Sequence, residues 1–114
     1  MASSDLFSID GKTALVTGGS RGIGKMIAEG FVDARATVYI SSRKAEVCEE
    51  VAAELSKKGT CVAVPADLSK EEECRRLADE MAARVDKLDI LVNNAGATWG
   101  APLADYDDAA FDAE

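Results

Sequence analysis

Histidine is absent from the 114 residues of this chain, and aromatic residues make up only 5% of it. Histidine is the commonest general base and the commonest metal ligand in proteins. Its absence excludes a Ser-His-Asp hydrolase, and it leads us to expect no zinc site. The chemistry of this chain must therefore come from other residue types.

Positive charge is also scarce, since 13 Lys and Arg face 21 Asp and Glu, for a net charge of -8. Binding to nucleic acid needs clustered positive charge, so that function is disfavoured. No apolar run approaches the roughly 18 residues of a membrane span, and the first ten residues lack the features of a signal peptide. The three cysteines form no Cys-x-x-Cys pair and are interpreted as reduced and buried. We expect a cytoplasmic protein that binds neither nucleic acid nor membranes.

Four apolar, β-rich runs alternate with three helical patterns along the chain. The strands are predicted at Thr13–Thr17, Thr37–Ser41, Cys61–Pro65 and Leu88–Asn93, and the helices at Gly22–Ala34, at Lys44–Lys58 and from Ser69 onward, with a fourth helix beginning near Asp107. Alternation of this kind is typical of an α/β fold with a parallel sheet. The sequence therefore predicts a Rossmann-type doubly wound sheet with the order β-α-β-α-β-α-β.

Helical spacing predicts which side of each helix is buried. The expected inward faces are Ile23, Ile27, Gly30 and Phe31 for the first helix, Val47, Val51 and Leu55 for the second, and Cys74, Leu77, Ala78, Met81 and Val85 for the third. Ser69 to Glu72 are interpreted as a capping box. Arg35 stands where a left-handed turn would close the first helix, so we expect that turn to be remodelled.

The segment between the first strand and the first helix carries the main chemical signal. It reads Thr17-Gly18-Gly19-Ser20-Arg21-Gly22-Ile23-Gly24, here called the glycine loop. Glycines leading into a helix N-terminus allow backbone N–H groups to approach a phosphate closely. The alternative is a tight turn without a ligand, which the strand-loop-helix setting disfavours.

The glycine loop, together with Asp67-Leu68 and Asn93-Asn94-Ala95-Gly96, resembles the short-chain dehydrogenase/reductase family from about Asp10 onward. Among members, the chain is most similar to 3-oxoacyl-carrier-protein reductases, including the rhamnolipid-pathway reductase type. The resemblance implies that the glycine loop holds the cofactor pyrophosphate, that Asp67 bonds the adenine amino group, and that Leu68 packs near the ring. It implies contacts to the ribose and toward the nicotinamide from Asn94, Ala95 and Gly96, although this motif is also interpreted as a turn that stabilises the sheet. The implied cofactor contacts are Gly18, Ser20, Arg21, Gly22, Ile23, Gly24, Ser42, Arg43, Asp67, Leu68, Asn94, Ala95 and Gly96.

The end of the second strand indicates which dinucleotide is bound. NAD-specific sites place an acid there to bond the ribose hydroxyls. This chain instead has Ser41-Ser42-Arg43, with no acid before Glu46. Arg43 is able to pair with a 2′-phosphate through two hydrogen bonds. We expect NADP(H), with an exposed residue at a helix start as the alternative reading of Arg43.

No catalytic residue is assigned in this sequence. The family's Tyr-x-x-x-Lys pair is absent, since Tyr39 is followed at that spacing by Arg43 and Tyr106 by Ala110. In the family the catalytic residues come later than Glu114, so we expect residues 1–114 to be the dinucleotide-binding part of one Rossmann-type domain and to be inactive alone. The complete protein is expected to be a homo-oligomer, a dimer or tetramer, that reduces a small carbonyl compound. The alternative is a non-catalytic dinucleotide-binding module complete at this length.

Overall fold

The computed structural model describes residues 9–20 and 22–94, which form four parallel strands and three helices. The elements are β1 (Thr13–Thr17), α1 (Gly22–Asp33), β2 (Thr37–Ser41), α2 (Ala45–Leu55), β3 (Thr60–Ala63), α3 (Glu71–Arg84) and β4 (Ile90–Asn93). The sheet order is β3-β2-β1-β4. This confirms the predicted doubly wound fold, whereas the fourth helix predicted near Asp107 lies outside the described residues.

Neighbouring residues of β1 point to opposite faces of the sheet, and each face is covered by its own apolar cluster. Leu15 belongs to a cluster that includes Leu77 and Met81 of α3. Val16 belongs to a second cluster formed with α1 and α2. Because both faces are buried, the middle of the strand is apolar without alternation. The helices therefore lie on both sides of the sheet.

The two central strands match the sequence prediction, and the two outer strands are shorter than predicted. β3 ends at Ala63, although the N–H groups of Val64 and Ala66 still donate to the carbonyls of Ile40 and Ser42. β4 begins at Ile90, because the Asp89 carboxylate accepts the N–H of Thr13 over 2.9 Å in place of a strand carbonyl. α2 ends at Leu55, and the predicted end at Lys58 is wrong because residues 56–58 form turns.

The buried face of α1 differs from the predicted one. The residues that are buried are Gly24, Ala28 and Val32, while Ile27 and Phe31 are only partly buried. The placement of Ile23 and Gly30 on the inward face is wrong, since Ile23 is 67% exposed and Gly30 is exposed. The helix thus rests on the sheet through its smaller side chains, which allows a close approach.

The buried face of α3 was predicted correctly for Cys74, Leu77, Ala78 and Met81, and Val85 is partly buried beyond the helix end. In α2 the buried residues are Cys48, Val51, Ala52 and Leu55, so Val51 and Leu55 are confirmed while Val47 is only partly buried. The predicted cap of α3 is displaced by one residue. Lys70 occupies the N-cap position with extended backbone.

Arg35 adopts the left-handed conformation that the turn after α1 requires, with φ of 72°. The N–H groups of Arg35 and Ala36 donate to the carbonyls of Val32 and Phe31, each over 3.0 Å. These two bonds form a Schellman motif. The expectation that this turn would be remodelled is therefore wrong, because the helix end keeps the glycine-type geometry with an arginine in it.

Candidate functional site

The carboxyl ends of the four strands lie side by side at one edge of the sheet. Thr17, the last residue of β1, is paired with Ser41 of β2 and Asn93 of β4. The Ala66 N–H donates to the Ser42 carbonyl over 3.0 Å, so the chain after β3 still runs beside the chain after β2. Ligands of open α/β sheets bind at this edge. The fold therefore brings the predicted site segments together.

Backbone conformation explains two of the glycines that follow β1. Gly18 and Gly22 have φ angles of 69° and 62°, a region that other residues rarely enter. The Gly18 N–H donates to the Ser41 carbonyl over 2.7 Å, which fixes the start of the loop against β2. The side chain of Ser20 is buried in the same loop. The described part of the loop is thus anchored to β2 just before the N-terminus of α1.

Gly24 is required for a different reason: there is no room for a side chain at this position. A Cβ atom built at this position would overlap the Gly18 carbonyl and come within 2.8 Å of Asn94 Nδ2. Gly24 therefore packs the first turn of α1 onto both the glycine loop and the segment after β4. This contact joins two segments that the sequence singled out separately.

Thr17, the first residue of the glycine loop, connects the ends of β1 and β4, a role that was not predicted from the sequence. The residue is fully buried, and its hydroxyl accepts the N–H of Asn94 over 3.0 Å. The same hydroxyl lies within donating distance of the Val92 carbonyl at 3.2 Å and of Asn93 Oδ1 at 3.0 Å. A hydroxyl residue ending an otherwise apolar central strand was the available signal. Thr17 holds Asn94 beside Gly24.

The end of β2 carries hydroxyls and a cation. The hydroxyl oxygens of Ser41 and Ser42 are both buried. Arg43 follows them and is exposed. Residues 42–45 include no acid. This edge of the site therefore presents a positive charge, and no acid, to a ligand.

Asp67 lies in the turn before α3, where Ser69 bonds to it twice. The Ser69 N–H and hydroxyl donate to Asp67 Oδ1 over 3.1 and 2.7 Å. The pKa of the Asp67 carboxyl lies below its ordinary value chiefly because of these bonds, and the charges of Lys70 and Arg43 lower it further. The Asp67 carboxyl is therefore ionised and accepts hydrogen bonds, and Arg43 is near enough for its charge to lower the pKa of this carboxyl.

Leu68 is placed differently from its neighbour. Its side chain is only 7% exposed and belongs to the apolar cluster under α3. A contact between this residue and a ligand ring would therefore come mainly from its backbone. Ile23, by contrast, is open to solvent on the first turn of α1. The remaining residues predicted for the site, Arg21, Ala95 and Gly96, lie outside the described residues.

Neither a metal centre nor a membrane span is found in the part of the chain that the structure describes. Within residues 9–20 and 22–94, no three or more Cys, Asp or Glu side chains are grouped so that they could hold a metal ion. None of the three helices in these ranges is long and apolar enough to cross a membrane.

Comparison with known proteins gives a family match over most of the chain. The family model described as short chain dehydrogenase matches residues 12–114. A rhamnolipids biosynthesis 3-oxoacyl-(acyl-carrier-protein) reductase of Pseudomonas aeruginosa is 56% identical over 100 residues, which are 88% of this chain and 39% of that protein. A 7alpha-hydroxysteroid dehydrogenase of Escherichia coli is 39% identical over 111 residues, which are 93% of this chain and 44% of that protein. The chain thus spans about two fifths of the length of these relatives.

Solved structures show the same fold. A Pseudomonas aeruginosa RhlG/NADP active-site complex superposes with a TM-score of 0.76 at 56% identity, covering 80% of this chain and 37% of that one. An L-sorbose reductase from Gluconobacter frateurii, complexed with NADPH and L-sorbose, gives a TM-score of 0.74 at 35% identity and covers 79% and 35%.

Proposed function

Because the chain belongs to the short chain dehydrogenase family, we propose that it forms the NADP(H)-binding part of a reductase. The observation that carries this proposal is the contact of Gly24 with the Gly18 carbonyl and the Asn94 amide. That contact makes one cradle out of the glycine loop and the segment after β4. Relatives solved with NADP or NADPH support the proposal.

The glycine loop fits the pyrophosphate of a dinucleotide. Its glycines leave backbone N–H groups uncovered by side chains at the N-terminus of α1, where the helix dipole favours an anion. The first turn of α1 contains no acid that would oppose this. We assign the pyrophosphate contacts to Gly18, Gly22 and Gly24, with Ser20, Arg21 and Ile23 contacting the cofactor around them.

The end of β2 fits a 2′-phosphate better than a free ribose hydroxyl pair. Arg43 supplies a planar cation with two parallel donors, Ser42 is proposed as the second contact, and residues 42–45 include no acid that would repel a phosphate. The ionised Asp67 carboxylate is suited to accept a hydrogen bond from the adenine amino group. The backbone of Leu68 is proposed to lie beside the adenine ring. Asn94, Ala95 and Gly96 are proposed along the ribose toward the nicotinamide. These contacts predict NADP(H) in preference to NAD(H).

When bound, the cofactor supplies hydride exchange between its nicotinamide and a carbonyl or alcohol. The part of this chain is to bind and orient that cofactor, and we assign no catalytic residue within residues 1–114. A 3-oxoacyl thioester is the proposed substrate because the 56% identical relative is named as a 3-oxoacyl-(acyl-carrier-protein) reductase. Inactivity of these 114 residues alone, homo-oligomer formation and a cytoplasmic location remain predictions.

Cofactor preference tests the proposal. At its natural length the protein is expected to bind NADPH well ahead of NADH in a fluorescence titration. Arg43→Asp should weaken NADPH binding by about 1–3 kcal/mol, since it replaces charge-assisted bonds to phosphate with repulsion. NADH affinity should stay the same or rise, because NADH lacks the 2′-phosphate and an acid at the end of β2 is able to bond its ribose hydroxyls.

Lys57→Asp is the matched control, because it makes the same charge change beyond the far end of α2, where Lys57 is exposed. This variant should leave both affinities near those of the unmodified protein. Equal affinity for the two cofactors in the unmodified protein would overturn the proposed NADP(H) preference. An equal loss in both variants would show that Arg43 acts only through the overall charge.

A further inference from the structure

Arg76 and Glu73 form an ion pair on α3, and both side chains also bond to the loop that contains Asp67. The Arg76 guanidinium donates through Nη2 to the Pro65 carbonyl over 2.8 Å. It also donates to Glu73 Oε2 through Nε and to Glu73 Oε1 through Nη2, each over 3.0 Å. A further bond, of 3.3 Å, joins its Nη1 to Glu80. One side chain therefore links two acids of α3 to the loop backbone.

The partner of Arg76 completes the connection from the other side. Glu73 Oε1 accepts the backbone N–H of Asp67 over 3.2 Å. The pKa of the Glu73 carboxyl is lowered, first by the bond from Arg76 and then by that from Asp67. The pair thus binds the carbonyl of residue 65 and the N–H of residue 67. These two groups flank Ala66, whose own N–H is bonded to Ser42.

We propose that Glu73 and Arg76 are positioning residues that hold the Asp67 carboxylate in place for the adenine end of the dinucleotide. This inference rests on the proposed cofactor site. Asp67 follows residues 64–66, which lie beyond the end of β3 and are bonded on one side only, through the N–H groups of Val64 and Ala66 to Ile40 and Ser42. A loop that is already ordered binds a ligand without the entropic cost of ordering it. Fixing the backbone on both sides of Ala66 supplies that order.

The neighbouring arginine shows that this arrangement is not a general property of the helix surface. Arg75 bonds Glu71 one turn earlier on its own helix, over 2.7 Å. Both guanidinium groups are exposed, and exposed ion pairs contribute little to stability, so an effect of Arg76 on binding must come from its bond to the loop. Arg75 and Arg76 therefore provide a matched comparison, because they carry the same charge on the same helix and only Arg76 bonds the loop.

The test compares NADPH with its hypoxanthine analogue, which lacks the adenine amino group, using the protein at its natural length. Arg76→Gln should weaken NADPH binding about tenfold, as expected when a preorganised contact is lost. It should weaken binding of the analogue much less, because the analogue does not use the Asp67 contact. Arg75→Gln should change neither affinity. Glu73→Gln keeps an acceptor oxygen for the Asp67 N–H, so this variant should bind NADPH more tightly than Glu73→Ala.

Hydrogen exchange gives a second measurement that needs no ligand. The Asp67 N–H should exchange faster in Arg76→Gln and Glu73→Ala than in Arg75→Gln. Equal losses for NADPH and the analogue, or unchanged exchange at Asp67, would overturn the positioning role. If the unmodified protein binds neither dinucleotide, the proposed function itself fails, and this result is distinct from an Arg76→Gln variant that binds NADPH normally.

Discussion

Arg35 occupies a backbone conformation that is unfavourable for its side chain. Its φ of 72° lies in the left-handed region, which costs a residue with a Cβ about 1–2 kcal/mol. Glycine removes that cost but loses more chain entropy on folding. We therefore expect Arg35→Gly to raise the free energy of unfolding by about 0.5–1 kcal/mol, the net of these two effects. Urea denaturation of the protein at its natural length measures it.

Arg35→Ala is the control for the lost side chain. Alanine keeps the strained φ and removes the guanidinium, whose ion pair with Asp10 is exposed and long at 3.9 Å. Such a pair contributes little, so Arg35→Ala should stay close to the original stability. Equal stabilisation by glycine and alanine would mean that the side chain, and not the backbone, is responsible.

Among the elements, α1 shows where sequence periodicity is insufficient. Ile23, Ile27 and Phe31 form an apolar stripe at helical spacing, and Gly24, Ala28 and Val32 form another beside it. Periodicity favours the larger side chains. The structure buries the smaller ones because Gly24 must fit under the Gly18 carbonyl, which fixes the rotation of the helix. By contrast, α3 carries a single stripe and its buried face was predicted correctly.

The same limit applies to the segments of the site. Their positions after the strands followed from the alternating pattern, because carboxyl ends of parallel strands share one edge. The contacts made by Thr17 and Arg76 did not follow, since they join residues distant in sequence or bond to the backbone of a loop. No local pattern encodes such bonds.

The junction between β1 and β4 depends on the Thr17 hydroxyl. Thr17→Val keeps the shape but leaves the Asn94 N–H without its acceptor. Loss of this part-buried hydrogen bond should cost about 0.5–1.5 kcal/mol. Thr17→Ser keeps the hydroxyl and should retain slow exchange of the Asn94 N–H, whereas Thr17→Val should lose it. Equal exchange at Asn94 in both variants would show that the hydroxyl does not hold this junction.

At the scale of the whole sheet, β4 is the last strand on its side among the described residues. Ile90, Leu91 and Val92 are only partly buried there. An unpaired strand edge with apolar side chains favours association with other chains. Each large apolar side chain left exposed forgoes about 1.5–3 kcal/mol, against a total domain stability of about 5–15 kcal/mol. We therefore expect the polypeptide of residues 1–114, expressed alone, to be poorly folded or self-associating.

Size-exclusion chromatography and thermal melting of that polypeptide measure this expectation. Ile90→Lys is the informative variant, because Leu91 and Val92 each pack against a core cluster whereas Ile90 packs against neither cluster of the described residues. A lysine on an exposed edge opposes strand pairing between chains, so this variant should associate less than Leu91→Lys, which also damages the core. A monodisperse monomer with a sharp cooperative transition would show that β4 needs no further neighbour.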